Sequence, residues 1–266
     1  MISTKRSDVD LEWGQIHYRS VASSEGSRPL ALLHQSPLSS RMFDKALPAL
    51  ARSFNSVAID TPGFGESDPT PAEWSVEQYA QEFWHVLDKL GIQSTYLLGR
   101  ATGAVFAVEM ALQQPDRLEG LILHGVPVYS VEECNQRLRE FAPPYEIDAD
   151  GNYLHWIWVR IQEQYPWASA DLVASFVRDY LSAGEDFAAA YRAIWRYDMH
   201  DSLSRLTLSP ALLSGDADRI GFMQARARAA LPDALELTLR DATDFIALTD
   251  PEAFATTVEK LFGIAE

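Results

Sequence analysis

Tyr96-Leu-Leu-Gly-Arg-Ala-Thr-Gly-Ala-Val-Phe-Ala-Val-Glu-Met110 is the stretch on which the fold is decided. A short apolar run, Thr95 to Leu98, has the length and closure of a buried strand, and it passes directly into Gly99-Arg100-Ala101-Thr102-Gly103. A helical stretch from Thr102 to Gln114 follows and is ended by Pro115. Glycines on both sides of the central residue are what a sharp, strained strand-to-helix turn requires, because only they tolerate the close backbone approach. The turn has the form of a nucleophile elbow, yet its tip, Ala101, carries nothing that can attack.

Outward from this turn the chain alternates between brief apolar runs and amphipathic stretches of helical length, the pattern of a mostly parallel buried sheet with crossover helices. Leu30 to His34, Ser56 to Asp60 and Gly120 to His124 are further buried strands, and Asp10 to Trp13 with Gln15 to Ser20 reads as an antiparallel edge hairpin around Gly14. Helices are expected over Arg41 to Ser53 and over Ser75 to Leu90, with Ser75 as N-cap. Beyond the elbow, Pro210 to Ser214 and Leu235 to Leu239 resume the strands, and Met223 to Ala230 and Pro251 to Phe262 the helices.

Between Val128 and Leu206 the alternation stops. No strand pattern is present there, and helical stretches such as Asp171 to Ala183 and Glu185 to Tyr197 dominate. The segment holds 14 of the 29 aromatic residues, enough either for a core of its own or for a lid whose inner face is an aromatic ligand pocket, with Trp156 and Trp158 as candidate lining. The expected organisation is a core of residues 1–127 and 207–266, with a helical lid of residues 128–206 inserted after the sixth strand.

The elbow resembles that of the α/β-hydrolase superfamily, and the resemblance extends over nearly the whole chain. It includes His34-Gln-Ser-Pro37 after the third strand, Asp60-Thr-Pro-Gly-Phe-Gly-Glu-Ser67 after the fourth and Gln114-Pro-Asp-Arg-Leu-Glu-Gly-Leu-Ile-Leu123 entering the sixth. It ends with Gly215-Asp-Ala-Asp218 and Thr243-Asp-Phe-Ile-Ala-Leu-Thr-Asp-Pro-Glu-Ala-Phe254. The fold it implies is an α/β domain with an eight-stranded, mostly parallel sheet, helices on both faces and a helical lid.

The resemblance also places a catalytic triad, and the chain departs from it twice. The nucleophile position is Ala101 and the histidine position is Asp244, while Asp218 matches the acid, with Asp216 as the neighbouring alternative. Ser-His-Asp hydrolysis therefore does not carry over. Asp218 and Asp244 would lie close together, and two crowded carboxyls would share a proton, one pKa rising, unless Arg100 and Arg219 pair with them as a structural ion pair. The backbone amides of Gln35 and Thr102 would preserve an oxyanion hole, although the Gln35 side chain now projects beside it. Ser36 and Ser39 share its loop without an evident base. His124, at the end of the sixth strand, is either a pocket residue that moves protons or a satisfied strand-end histidine, while His17, His85, His155 and His200 read as structural or exposed.

The function that follows is an atypical enzyme of this superfamily, acting on a small apolar or aromatic carbonyl compound by non-covalent acid/base chemistry. Asp244, Asp218 or His124 would move the protons. A catalytically silent member that binds a small ligand or a partner protein is the alternative. A net charge of −16 repels phosphate backbones and anionic bilayers, and no run is apolar enough to span a membrane, so neither nucleic acid nor membrane is expected as a partner. A single cysteine, Cys134, permits no internal disulfide, which with the lack of a leader-like start suggests a cytoplasmic home. No metal motif is present, even if Asp216, Asp218, Asp244 and His124 converge, and Asp60-Thr-Pro-Gly-Phe-Gly lacks a nucleotide-binding register. No cofactor is expected.

Overall fold

The structure is a computed structural model that describes residues 3–23, 28–141 and 145–264. Eight strands, β1 (Lys5–Asp10), β2 (Gln15–Val21), β3 (Pro29–Leu33), β4 (Asn55–Ile59), β5 (Thr95–Arg100), β6 (Leu118–His124), β7 (Ala211–Gly215) and β8 (Leu235–Leu239), form one sheet in the order β1-β2-β4-β3-β5-β6-β7-β8. The β1–β2 and β2–β4 pairs are antiparallel and every other pair is parallel. The central strands are buried along almost their whole length, as in β3, where Leu30 to Leu33 are all fully enclosed. That is the expected state of a parallel strand covered on both faces.

The helices around the sheet are α1 (Ala46–Leu50), α2 (Val76–Lys89) and α3 (Thr102–Gln113), then, between β6 and β7, α4 (Val131–Glu140), α5 (Asn152–Gln164), α6 (Ala170–Ala183), α7 (Ala189–Arg196) and α8 (Met199–Ser204). After β7 come α9 (Gln224–Ala230), α10 (Ile246–Thr249) and α11 (Pro251–Leu261). Helix α3 packs on β5 and β6 and against α2, while α1 packs on α11. Apart from a short 3-10 turn, Gly184–Ala188, the regular structure described between β6 and β7 is helical. No helix among the described residues is long and apolar enough to cross a membrane.

Three elements differ from the expectation. The helix expected over Arg41 to Ser53 is a 3-10 turn, Ser40–Phe43, followed by α1; Pro48 has no N–H and its ring clashes with a helical carbonyl four residues back, at Asp44, so one continuous helix is excluded. The first edge strand lies at Lys5–Asp10 instead of Asp10 to Trp13. Leu11 to Gly14 is a tight turn, closed by the Leu11 N–H on the Gly14 carbonyl (2.9 Å), and Trp13 leaves the sheet to pack edge-on against Trp74 at 4.8 Å. The stretch Glu185 to Tyr197 divides into the 3-10 turn and α7.

Candidate functional site

The β5–α3 turn is built as its glycines predict. Ala101 sits at φ 49°, ψ −111°, a left-handed conformation costly for a residue with a Cβ. A Cβ on Gly99 would lie 2.3 Å from the Gly103 carbonyl oxygen, and one on Gly103 would lie 2.4 Å from that of Leu33, so both glycines are needed for the turn to close against β3. The Ala101 N–H bonds the His124 carbonyl (3.1 Å), tying the tip to β6.

Across from the tip runs the loop after β3. The Ser36 N–H donates to Thr102 Oγ1 (2.7 Å), whose hydroxyl donates to Ser36 Oγ (3.2 Å). The Thr61 N–H donates to His34 Nε2 and the other ring nitrogen meets the Gln35 carbonyl (2.8 and 3.0 Å), which fixes a neutral imidazole. Burial, outweighing Asp60, holds its pKa below the usual value. Among the described residues the backbone N–H groups of Gln35 and Thr102 have no acceptor, although both residues are buried. Two such donors beside the elbow are free to receive a carbonyl oxygen or an oxyanion.

Arg100, on β5 immediately before the tip, organises the other half. Its guanidinium is buried and donates from Nη2 to Asp218 Oδ1 (3.0 Å), from Nη1 to the His124 and Gly125 carbonyls (3.1 Å each) and from Nε to the Asp244 carbonyl (3.3 Å). The Asp244 carboxylate lies 3.7 Å from Arg100 Nη2 and 3.4 Å from Arg219 Nε. The two carboxylates are thus brought onto one guanidinium, an ion-pair arrangement. Burial pushes the Asp244 carboxyl up, against the pull of Arg100 and with help from Asp218. One oxygen of each carboxyl, Asp218 Oδ2 and Asp244 Oδ1, is buried without a hydrogen-bond partner among the described residues. Gly125 makes the arrangement possible: at φ 56°, a Cβ there would fall 1.8 Å from Arg100 Nη1.

The helices between β6 and β7 reach this site through two tyrosines. Tyr165, after α5, accepts from Arg219 Nη2 (2.9 Å) and from Gln35 Nε2 (3.4 Å), with the Arg219 guanidinium 4.5 Å above its ring. Tyr191, on α7, donates to the Ser36 carbonyl (2.5 Å). Burial raises both phenols. Phe245 closes the cluster against Tyr165 and Phe176 at 5.0 and 4.7 Å. Trp156 lies away from these contacts, 41% exposed, between Tyr145 and Arg160, and Trp158 is a half-buried ring packed against the hydrophobic core. Aromatic abundance pointed to the lid; nothing in the sequence indicated that Tyr165 and Tyr191, and not the tryptophans, bond the loop at Gln35 and Ser36.

His124 is buried with Nε2 unpartnered and its ring 6.4 Å from Phe254 of α11. Burial foremost, then Arg100, lowers its pKa to about 3, against the weaker pull of Asp218. Asp216 is exposed, and Ser39 donates to Asp179 of α6 at 2.9 Å. Among the described residues no three His, Cys, Asp or Glu side chains converge as a metal site.

Comparisons with known proteins bear on the fold. The family model described as alpha/beta hydrolase fold matches residues 28–251. Haloalkane dehalogenase 2 of Mycobacterium bovis is 23% identical, over 96% of this chain and 93% of that protein. A 2-hydroxy-6-oxononadienedioate/2-hydroxy-6-oxononatrienedioate hydrolase of Pseudomonas putida is 34% identical over 46% of this chain and 42% of its own length. The crystal structure of a hydrolase from Pseudomonas aeruginosa superposes with a TM-score of 0.81 at 21% identity, covering 97% of this chain and 98% of that one. By its sequence match, its sheet and its elbow, this chain belongs to the α/β-hydrolase fold family.

Proposed function

We propose that this chain is an atypical α/β-hydrolase-fold enzyme that acts on a small apolar or aromatic carbonyl compound without a covalent intermediate, as a lyase, cyclase, isomerase or water-mediated hydrolase. One observation carries the reading: a methyl group stands at the elbow tip, and a buried guanidinium holds the two carboxylates where a base and its orienting acid would otherwise work. The Gln35 and Thr102 amides polarise the carbonyl. Asp244 is the proton carrier, since its Oδ1 is uncommitted and burial favours its protonated form. Asp218 and Arg100 position it. His124, whose imidazolium is costly here, serves packing. Relatives named as hydrolases and a dehalogenase support a small-molecule substrate.

A second reading, a silent member that only binds a ligand, is favoured by a different observation: Arg100 and Arg219 neutralise Asp244, and Tyr165 bonds Gln35 beside the tip. Screening a panel of small ketones, enol esters and activated esters, with intact-mass measurement during turnover, separates the two. We expect turnover of some carbonyl compound with no covalent adduct, reduced on the order of 10²-fold or more in Asp244→Asn. Ligand binding without turnover selects the second reading. Robust esterase activity abolished by an active-serine reagent overturns both.

A further inference from the structure

We propose that a groove between α6 and the Leu38–Lys45 segment is a binding site for a small organic carboxylate with an apolar or aromatic body, separate from the Ala101–Asp244 site. The groove has a volume of about 570 Å³, the size of a small-molecule pocket, and is closed on its third side by α10. Met42, Phe176 and Leu248 form an apolar floor, and Trp167 stands at the rim. Flat rings and short alkyl chains bind such surfaces with little loss of freedom.

The charges decide the sign of the ligand. Asp179 lines the wall, but both its oxygens are committed, one accepting from Ser39 Oγ (2.9 Å) and the other from Arg41 Nη1 (3.2 Å). Arg41 is in turn balanced, since its second nitrogen pairs with Glu66. Asp44 is paired with Arg19 at 3.2 Å. Lys45 and Arg178 remain: both are exposed, both line the groove, and among the described residues neither has a carboxylate within ion-pair distance. The one uncommitted acid, Asp171, lies in the first turn of α6, where the helix dipole offsets part of its charge. An apolar floor beneath two unpaired cations matches an anionic head on an apolar body, in a chain whose overall charge of −16 would repel that anion elsewhere.

Calorimetric titration with phenylbutyrate and with its neutral amide tests the assignment at low ionic strength. The carboxylate should bind at least tenfold more tightly than the amide. Lys45→Gln/Arg178→Gln should reduce that preference to about twofold, and Leu172→Trp, which fills the groove, should abolish binding of both with the circular dichroism spectrum unchanged. Equal affinity for acid and amide, binding that survives Leu172→Trp, or no binding of either overturns the proposal. Asp244→Asn should leave the titration unchanged, so failure of the acid/base reading would not bear on this one.

Discussion

At the scale of single residues, the chemistry turns on Arg100. A guanidinium this deep is tolerated only because each of its polar edges meets an acceptor, and those acceptors come from three separate segments: β6 and its following turn, the loop after β7, and the loop after β8. Removing it in Arg100→Met would leave Asp218 and Asp244 buried without their cation, and stability at neutral pH should fall by about 3–5 kcal/mol. Acidification should recover part of that loss as the carboxyls take up protons, which denaturant titrations at two pH values would reveal. Gly125→Ala, which adds a Cβ 1.8 Å from Arg100 Nη1 on a backbone at positive φ, should reproduce much of the effect from the neighbouring strand end.

The same residue bears on whether a triad can be recreated by two substitutions. Ala101→Ser with Asp244→His would restore the two missing side-chain types, but Arg100 would still hold Asp218, and a cation beside the new imidazole would depress its basicity. The double variant should therefore hydrolyse activated esters no faster than the parent. Activity that appears in the double variant without a change at Arg100 would contradict this. Ala101 and Asp244 were legible in the sequence as the residues at the positions where the resemblance would place a nucleophile and a histidine, and so were Arg100 and Arg219 as possible partners. That one guanidinium spans both acids was not, because it depends on the left-handed turn at Gly125 and on the direction in which Arg100 leaves β5.

Among the elements, legibility followed locality. Continuous apolar runs such as Leu30 to Leu33 announce a doubly covered strand, and Ser75 with Gln78 forms the capping box that starts α2. The N-terminal hairpin was misplaced because Trp13 follows a tertiary attraction to Trp74 that alternation does not encode. Helix α6 carries a signal equally invisible in sequence, the buried Asp179 that docks it on Ser39 and Arg41. Burial, opposed by Ser39 and Arg41, raises this carboxyl from 3.8 to about 6. The folded chain then holds the proton more tightly than the unfolded one, so the contribution is fully present below about pH 4 and is lost as pH rises through 6. His124, lowered from 6.5 to about 3, has the opposite slope over an overlapping range, its contribution present above 6.5 and lost as pH falls toward 3. Asp179→Asn should make stability fall more steeply on acidification from pH 6 to 4 by about 2 kcal/mol, and His124→Leu should make it fall less steeply. Denaturant midpoints across that window measure both.

At the scale of the whole molecule, the helices between β6 and β7 are joined to the rest of the chain as one body. Their contacts with the rest of the chain come from several directions. Tyr191 bonds the Ser36 carbonyl, Arg219 bonds Tyr165, Tyr197 donates to Glu109 of α3 (2.6 Å), and Arg192 and Arg196 pair with Glu73 (2.7 and 2.9 Å). Exposed pairs of the last kind contribute little, but the buried tyrosines and the Phe176–Phe245 contact continue the core across the junction. Helices held this way should not melt ahead of the sheet. The tryptophans offer a direct reading, since Trp156, Trp158, Trp167 and Trp195 lie between β6 and β7 and Trp13, Trp74 and Trp84 in the rest. Thermal unfolding followed by tryptophan fluorescence and by far-ultraviolet circular dichroism should give coincident transitions. Moderate salt should shift both upward together, because a chain of net charge −16 repels itself and screening relieves that repulsion. A fluorescence transition that precedes the loss of secondary structure would mean instead that the inserted helices open on their own, and that the bonds from Tyr165 and Tyr191 are a latch over the Ala101 site and not part of one continuous core.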